Sequence, residues 1–160
     1  MGERAAYRVK SKYEISPSLR KQWGPCRTES LIEIIINCVK ILLNCDEDVL
    51  DEVKIGDGFT ALRDDLEDSP GRLFLALCYT LAEPPFDEIT NEPADISDHG
   101  LFEIEVKKWN HWIVWHYNVK WEDDSIIKGS KRKVLEVKFE KGKTIKDGMK
   151  FLYISNRDVW

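Results

Sequence analysis

Histidine and cysteine are the side chains that most often bind metals or act in catalysis, and their spacing in this chain favours neither role. The four cysteines, at positions 26, 38, 45 and 78, form no C-x-x-C pair, the spacing that is typical of structural zinc sites. His111 and His116 differ in parity, so along a strand they lie on opposite faces. The sequence also lacks a nucleophile elbow, a P-loop and a dinucleotide fingerprint. We therefore expect no metal site and no cofactor.

One pattern of acidic and basic residues does have a precedent in catalysis. Asp95 follows Pro93 and Ala94, and Glu105 comes ten residues after Asp95 and two before Lys107. The pattern resembles the signature of the PD-(D/E)xK nuclease superfamily, and the resemblance covers residues 93–107. It implies that Asp95 and Glu105 would hold magnesium beside Lys107, with all three as catalytic residues. Ala94 departs from the signature, and alternating Glu and Lys is also typical of a solvated strand face.

Aromatic residues are concentrated in the segment WNHWIVWHYNVKW, residues 109–121, which holds four of the six tryptophans. If the segment is a strand, its odd positions from 113 to 121 are uniformly large and apolar, so we expect Trp115, Tyr117 and Trp121 to lie in the core. Trp109 and Trp112 are then expected on the other face, where they could stack on the bases of single-stranded nucleic acid.

A basic hairpin tip at residues 129–133, GSKRK, follows this segment. Lysine and arginine at such a tip can contact phosphates, although most basic tips only keep a sheet edge soluble. The predicted binding residues, which are aromatic, imidazole or cationic, are Trp109, Trp112, His116, Lys120, Lys131, Arg132 and Lys133.

Charge is divided unevenly along the chain, whose net charge is only −5. Residues 1–27 carry a net +5, residues 46–105 a net −15 and residues 106–160 a net +6. Such a division indicates either internal complementarity between the acidic and basic parts or a basic surface for an acidic partner.

The helices and strands that must position these residues can be predicted from the spacing of the apolar residues. Ser30 and Glu33 form a capping box, and the apolar positions that follow recur at helical spacing. We expect helices within residues 28–83, an acidic proline-rich loop over 84–100, and strands of period two over 101–155. The predicted fold is a single α+β domain over residues 1–160. A basic N-terminal segment (1–27) precedes about four helices, and these form a layer on a C-terminal four-stranded antiparallel β-meander.

Compartment is also indicated by the sequence. No apolar run approaches the roughly 20 residues that span a bilayer, and no apolar stretch follows the N-terminal basic residues as in a secretory signal. We expect reduced thiols, no membrane association, and an intracellular location in the nucleus or cytoplasm.

These observations favour a non-enzymatic module that binds another protein as an adaptor or regulatory subunit. Abundant aromatics, polarised charge and a long loop suit recognition. The alternative is a binder of single-stranded nucleic acid that uses the basic part of the sheet with Trp109 and Trp112. A metal-dependent nuclease comes third.

Overall fold

A single sheet dominates the structure. The computed structural model describes residues 4–22, 24, 26–43, 47–56, 65–82, 88–91, 99–120 and 125–152. Within them the chain forms seven strands, which are β1 (Arg4–Lys10), β2 (Ser18–Gln22), β3 (Glu88–Thr90), β4 (Leu101–Lys108), β5 (His111–Tyr117), β6 (Arg132–Phe139) and β7 (Met149–Leu152). Their order across the sheet is β3-β2-β1-β4-β5-β6-β7. Strands β1 and β4 pair in parallel, and all the other neighbours pair antiparallel.

Helices cover one face of this sheet. Those in the described residues are α1 (Thr28–Leu43), α2 (Glu47–Glu52), α3 (Asp65–Asp68), α4 (Gly71–Thr80) and α5 (Ile145–Gly148). Helix α1 begins two residues before the predicted cap Ser30. Buried leucines and isoleucines of α1 and α4 share one core with the inner side chains of the strands. Of the described helices, none is both long and apolar enough to cross a membrane.

The predicted arrangement of about four helices on a four-stranded meander is wrong, although an α+β chain with antiparallel strands is confirmed. The basic N-terminal segment contributes two strands instead of a tail. In β1, Ala5, Tyr7 and Val9 are buried, while Arg8 and Lys10 alternate with them. This alternation was not recognised in the sequence, because the segment contains two small alanines and several charged residues. The short β3 lies within the segment that was predicted to be a loop. The prediction missed this strand because three residues give no periodic signal.

The phase predicted for β5 is also wrong. Val106 on β4 pairs directly with Trp112 on β5, and directly paired residues point to the same side of a sheet. Trp112 is therefore on the helix side with Val106, where it is 0 % exposed, whereas Trp115 on the other side is partly exposed. The Trp112 ring packs on Phe139 with centroids 4.9 Å apart. Its indole N–H donates to the carbonyl of Trp109 at 3.1 Å, which satisfies the one polar atom that the ring buries.

Replacing Trp112 by alanine should therefore be much more damaging than replacing Trp115. A cavity of indole size inside a packed core costs about 3–5 kcal/mol. Truncating the partly exposed Trp115 should cost about 1–2 kcal/mol, since it removes one side-chain hydrogen bond and part of a ring's burial. Urea unfolding of Trp112→Ala and Trp115→Ala measures both values. Equal losses, or a greater loss for Trp115→Ala, would show that this strand register is incorrect.

Candidate binding face of the sheet

The face of the sheet opposite α1 and α4 carries the aromatic and charged residues that can recognise a ligand. We call it the outer face and define it by Arg8, Glu103, Glu105, Trp115 and Tyr117. The register places them together, because Arg8 pairs with Glu103 across β1 and β4, and Glu103 pairs with Trp115 across β4 and β5. Side chains two apart on one strand share a face, which adds Glu105 and Tyr117 to the same cluster.

Glu103 is the buried centre of this cluster, with only 1 % of its surface exposed. Its Oε2 atom accepts hydrogen bonds from Arg8, whose Nε lies at 2.8 Å and whose Nη2 lies at 2.7 Å. Its Oε1 atom accepts a hydrogen bond from the Tyr117 hydroxyl at 3.1 Å. Both carboxylate oxygens are therefore satisfied, as a buried charge requires.

Tyr117 is held as a neutral hydrogen-bond donor by this arrangement. Burial first, and then the negative charge of Glu103, raise the pKa of Tyr117 to about 12. Arg8 lies over the Tyr117 ring at 5.8 Å from its centroid. The ring also packs against a small apolar cluster of Ala6 and Leu101. Tyr117 is thus fixed at its edge, at its hydroxyl and on one face.

Trp115 is oriented in a similar way. Its indole N–H donates to Oε1 of Glu105 at 2.9 Å. The Nζ atom of Lys131 lies 4.3 Å from the centroid of the indole ring, within cation–π range. Because Lys131 also lies 5.8 Å from the Tyr117 centroid, one ammonium group serves both rings. The two aromatic side chains and their cation form one preorganised unit.

A second acid–base pair lies on the same face nearer the β4–β5 turn. The His111 ring donates a hydrogen bond from Nε2 to Glu136, and Lys133 Nζ lies 3.8 Å from the other oxygen of that carboxylate. The hydrogen bond from His111, followed by the charge of Lys133, holds the pKa of Glu136 below its usual value. Glu136 is therefore ionised and paired at neutral pH.

Of the three residues of the nuclease hypothesis, the structure describes two. Glu105 and Lys107 share one face of β4, with Nζ 4.0 Å from Oε1, while Asp95 lies outside the described residues. That same Oε1 atom is engaged by the indole of Trp115. Within the described part of the chain, no group of three or more His, Cys, Asp or Glu side chains is placed to hold a metal ion.

The residues predicted to bind a ligand are divided between the core and the surface. Trp112 and His116 are buried inside, and Trp109 packs partly buried against the core with Lys141 over its ring. Lys120 and Lys131 are exposed, whereas Arg132 and Lys133 are partly exposed at the start of β6.

Lys131 and Lys133 lie beside two aromatic residues, as predicted, but these residues are Trp115 and Tyr117. The predicted pair was Trp109 and Trp112. The polar atoms of the Trp115 and Tyr117 rings are the feature of the sequence that indicates their position. An indole N–H and a phenol O–H need partners when buried, and Glu103 and Glu105 supply them from the outer face of β4.

The inward position of His116 depends on a close approach of the chain before β4. A carbonyl oxygen can only accept, so His116 donates from Nε2 to the carbonyl of His99, at 2.6 Å. Gly100, with φ of +71°, allows this approach, because a Cβ there would lie 2.2 Å from the carbonyl oxygen of Tyr117. The Nδ1 atom of His116 is buried and has no hydrogen-bond partner among the described residues. A second proton on this ring would therefore be unsatisfied.

Comparisons with protein-family models, with curated proteins and with solved structures found no significant match to this chain. The candidate face therefore has to be interpreted from its own geometry.

We expect acid to destabilise the chain through His116. Burial is the largest effect on this ring and lowers the pKa of His116 from 6.5, against the opposing effect of the hydrogen bond to His99. Below about pH 6.5 the unfolded chain therefore takes up a proton that the folded chain resists. The stability contributed by neutral His116 is complete above that pH and is lost as the pH falls below it.

Urea unfolding of the wild type and of His116→Gln at about pH 7.5 and about pH 5.5 isolates this contribution. The wild type should lose its advantage over the variant on acidification. An advantage that stays constant, or that grows in acid, would contradict the assignment.

Proposed function

We propose that this chain is a non-enzymatic protein-interaction module and that a partner protein binds the outer face around Trp115 and Tyr117. One observation carries the proposal. Both rings are partly exposed, yet each is fixed through its polar atom by a carboxylate of β4 and shares the ammonium group of Lys131.

Fixed aromatic rings suit protein recognition for an energetic reason. Association costs free energy for every side chain that must be ordered at the interface, about 0.5–1.5 kcal/mol for a side chain with many rotamers. Trp115 and Tyr117 are already ordered in the unbound chain, so most of that cost is absent. Tryptophan, tyrosine and arginine are also the residues most enriched among the energetic anchors of protein interfaces.

The charges of the outer face favour a protein partner over a nucleic acid. Four carboxylates occupy this side of the sheet, and each lies close to a described cation: Glu88 to Arg20, Glu103 to Arg8, Glu105 to Lys107, and Glu136 to Lys133. A base stacked on Trp115 would compete with Lys131, which already lies on that ring. A protein surface with both signs of charge can complement this pattern without that penalty.

The biological role that fits such a module is that of an adaptor or regulatory subunit inside the cell, in the nucleus or the cytoplasm. The described chemistry supports a binding role, since Glu103 and Glu105 use their oxygens to position aromatic rings. Neither carboxylate is left to face a substrate with both oxygens uncommitted.

Site-specific photo-crosslinking in cells of the source organism tests the proposal. A benzophenone amino acid at Lys133, beside Trp115 on the outer face, should give a discrete adduct that proteinase digests and nuclease does not. The same group at Asn37, exposed on α1, is the matched control and should give no such adduct. Adding Trp115→Ala should abolish the Lys133 adduct, because losing an interface tryptophan costs about 2 kcal/mol or more, roughly thirtyfold in affinity.

Two results would count against a protein partner at this face. Nuclease-sensitive adducts at Lys133 would favour the nucleic-acid alternative. Adducts of equal yield at Lys133 and Asn37, unchanged by Trp115→Ala, would remove the outer face from consideration.

A further inference from the structure

A second site lies at the end of the sheet formed by the β4–β5 turn and the β6–β7 connection. A cavity of about 500 Å³ opens there. The side chains around it are predominantly cationic, and the lining residues are Lys108, Asn110, His111, Lys138, Phe139, Glu140, Lys141 and Lys150. We call this cavity and its lining the lysine groove. It shares no lining residue with the aromatic pair of the outer face.

The register of the sheet creates the charge of the lysine groove. Lys108 pairs with His111 across β4 and β5, His111 pairs with Lys138 across β5 and β6, and Lys138 pairs with Lys150 across β6 and β7. Four adjacent strands thus contribute one row of basic side chains. Neighbouring strands are about 4.8 Å apart, so the row extends about 14 Å between its outer strands.

Such a row is unfavourable in the absence of a counter-charge. Like charges directly opposite on neighbouring strands repel and destabilise a sheet. None of the ammonium groups of Lys108, Lys138 and Lys150 forms an ion pair within the described residues, whereas His111 is bound to Glu136, whose carboxylate also feels the charge of Lys138. The one acid in the lining, Glu140, is itself bound to Lys143 at 3.2 Å.

An adjoining cavity of about 580 Å³ extends the positive surface. It shares Lys150 with the lysine groove and adds Lys54, Lys143 and Lys146 to the lining, against one acid, Asp147. Together the two cavities are lined by seven lysines and two acidic residues, and two of these lysines are paired, Lys143 with Glu140 and Lys146 with Asp51.

We propose that the lysine groove binds a small molecule that carries several phosphate groups. Lysine ammonium groups are point-charge donors well suited to phosphate oxygens. The volume of the cavity is in the range of small-molecule sites. A row of cations about one strand spacing apart favours a ligand with several closely spaced anionic groups over one with a single charge.

The experiment measures the binding of inositol hexakisphosphate, the probe, to the full chain by titration calorimetry. The salt concentration is about 150 mM, at which weak surface attraction is screened. The wild type should bind the probe saturably and should bind orthophosphate much more weakly. The double variant Lys138→Gln, Lys150→Gln removes the centre of the row and should bind at least about tenfold more weakly. A matched control, Lys12→Gln with Lys128→Gln, removes two exposed lysines outside the groove and should bind like the wild type.

Thermal unfolding without ligand separates a binding defect from a folding defect. Because the row repels itself, Lys138→Gln, Lys150→Gln should unfold at the same temperature as the wild type or higher. The probe should raise the unfolding midpoint of the wild type much more than that of the variant.

Three outcomes would overturn the proposal. One is an absence of binding to the folded wild type, and another is an equal loss of affinity in the groove variant and the control variant. The third is tighter binding of a single-stranded oligonucleotide of matched charge, which would identify the row as a nucleic-acid contact.

Discussion

The parallel pairing of β1 with β4 is the constraint on which the rest of the structure depends. It joins residues 95 positions apart, and its outer side is fixed by the ion pair of Arg8 with Glu103. Through this pairing β1 becomes the link between β2 and β3 on one side and β4 to β7 on the other. On the inner side, the same pairing stacks Tyr7 on Phe102 with ring centroids 5.7 Å apart. One pair of strands thus supports both the core and the outer face.

Burying a carboxylate is expensive, and the structure shows how this cost is offset. Glu103 has Arg8 at one oxygen and Tyr117 at the other, so its charge is compensated where water is excluded. Removing one partner of such a pair typically costs about 3–5 kcal/mol, because the other charge is left buried alone. The hydrogen bond that helps to offset the burial of Glu103 therefore also orients Tyr117. Any binding surface that includes the Tyr117 ring depends on the ion pair of Arg8 with Glu103.

The sequence predicted those parts of the fold in which one face of an element is clearly apolar. Leu135, Val137 and Phe139 alternate with charged residues, and they are buried as expected. In β5 both sets of alternate positions contain large apolar side chains, so composition alone could not fix the phase. The phase of β5 is determined by the pairing of Val106 with Trp112, next to an irregularity in β4. This pairing depends on both strands and cannot be read from either strand alone. The strands β1 and β2 were missed because charge dominated the interpretation of residues 1–27.

The candidate site was predictable only in its composition. Basic residues near tryptophans were foreseen, and Lys131 does lie on an indole ring, but that ring is Trp115. The contribution of Arg8 could not be foreseen, since nothing in the local sequence connects residue 8 with residue 103. The same limit applies to the row from Lys108 to Lys150, whose members come from four strands. Tertiary pairing, more than local pattern, determines which charges meet in this chain.

A double-mutant cycle on Arg8 and Glu103 tests the central claim most directly. The free energies of unfolding of Arg8→Met, Glu103→Gln and the double variant would be compared with that of the wild type. If the ion pair joins β1 to β4, the two single losses should be strongly non-additive, with a coupling energy of about 1 kcal/mol or more. Losses that add to within about 0.3 kcal/mol would mean that the two residues act independently, and the proposed support of the outer face would be wrong.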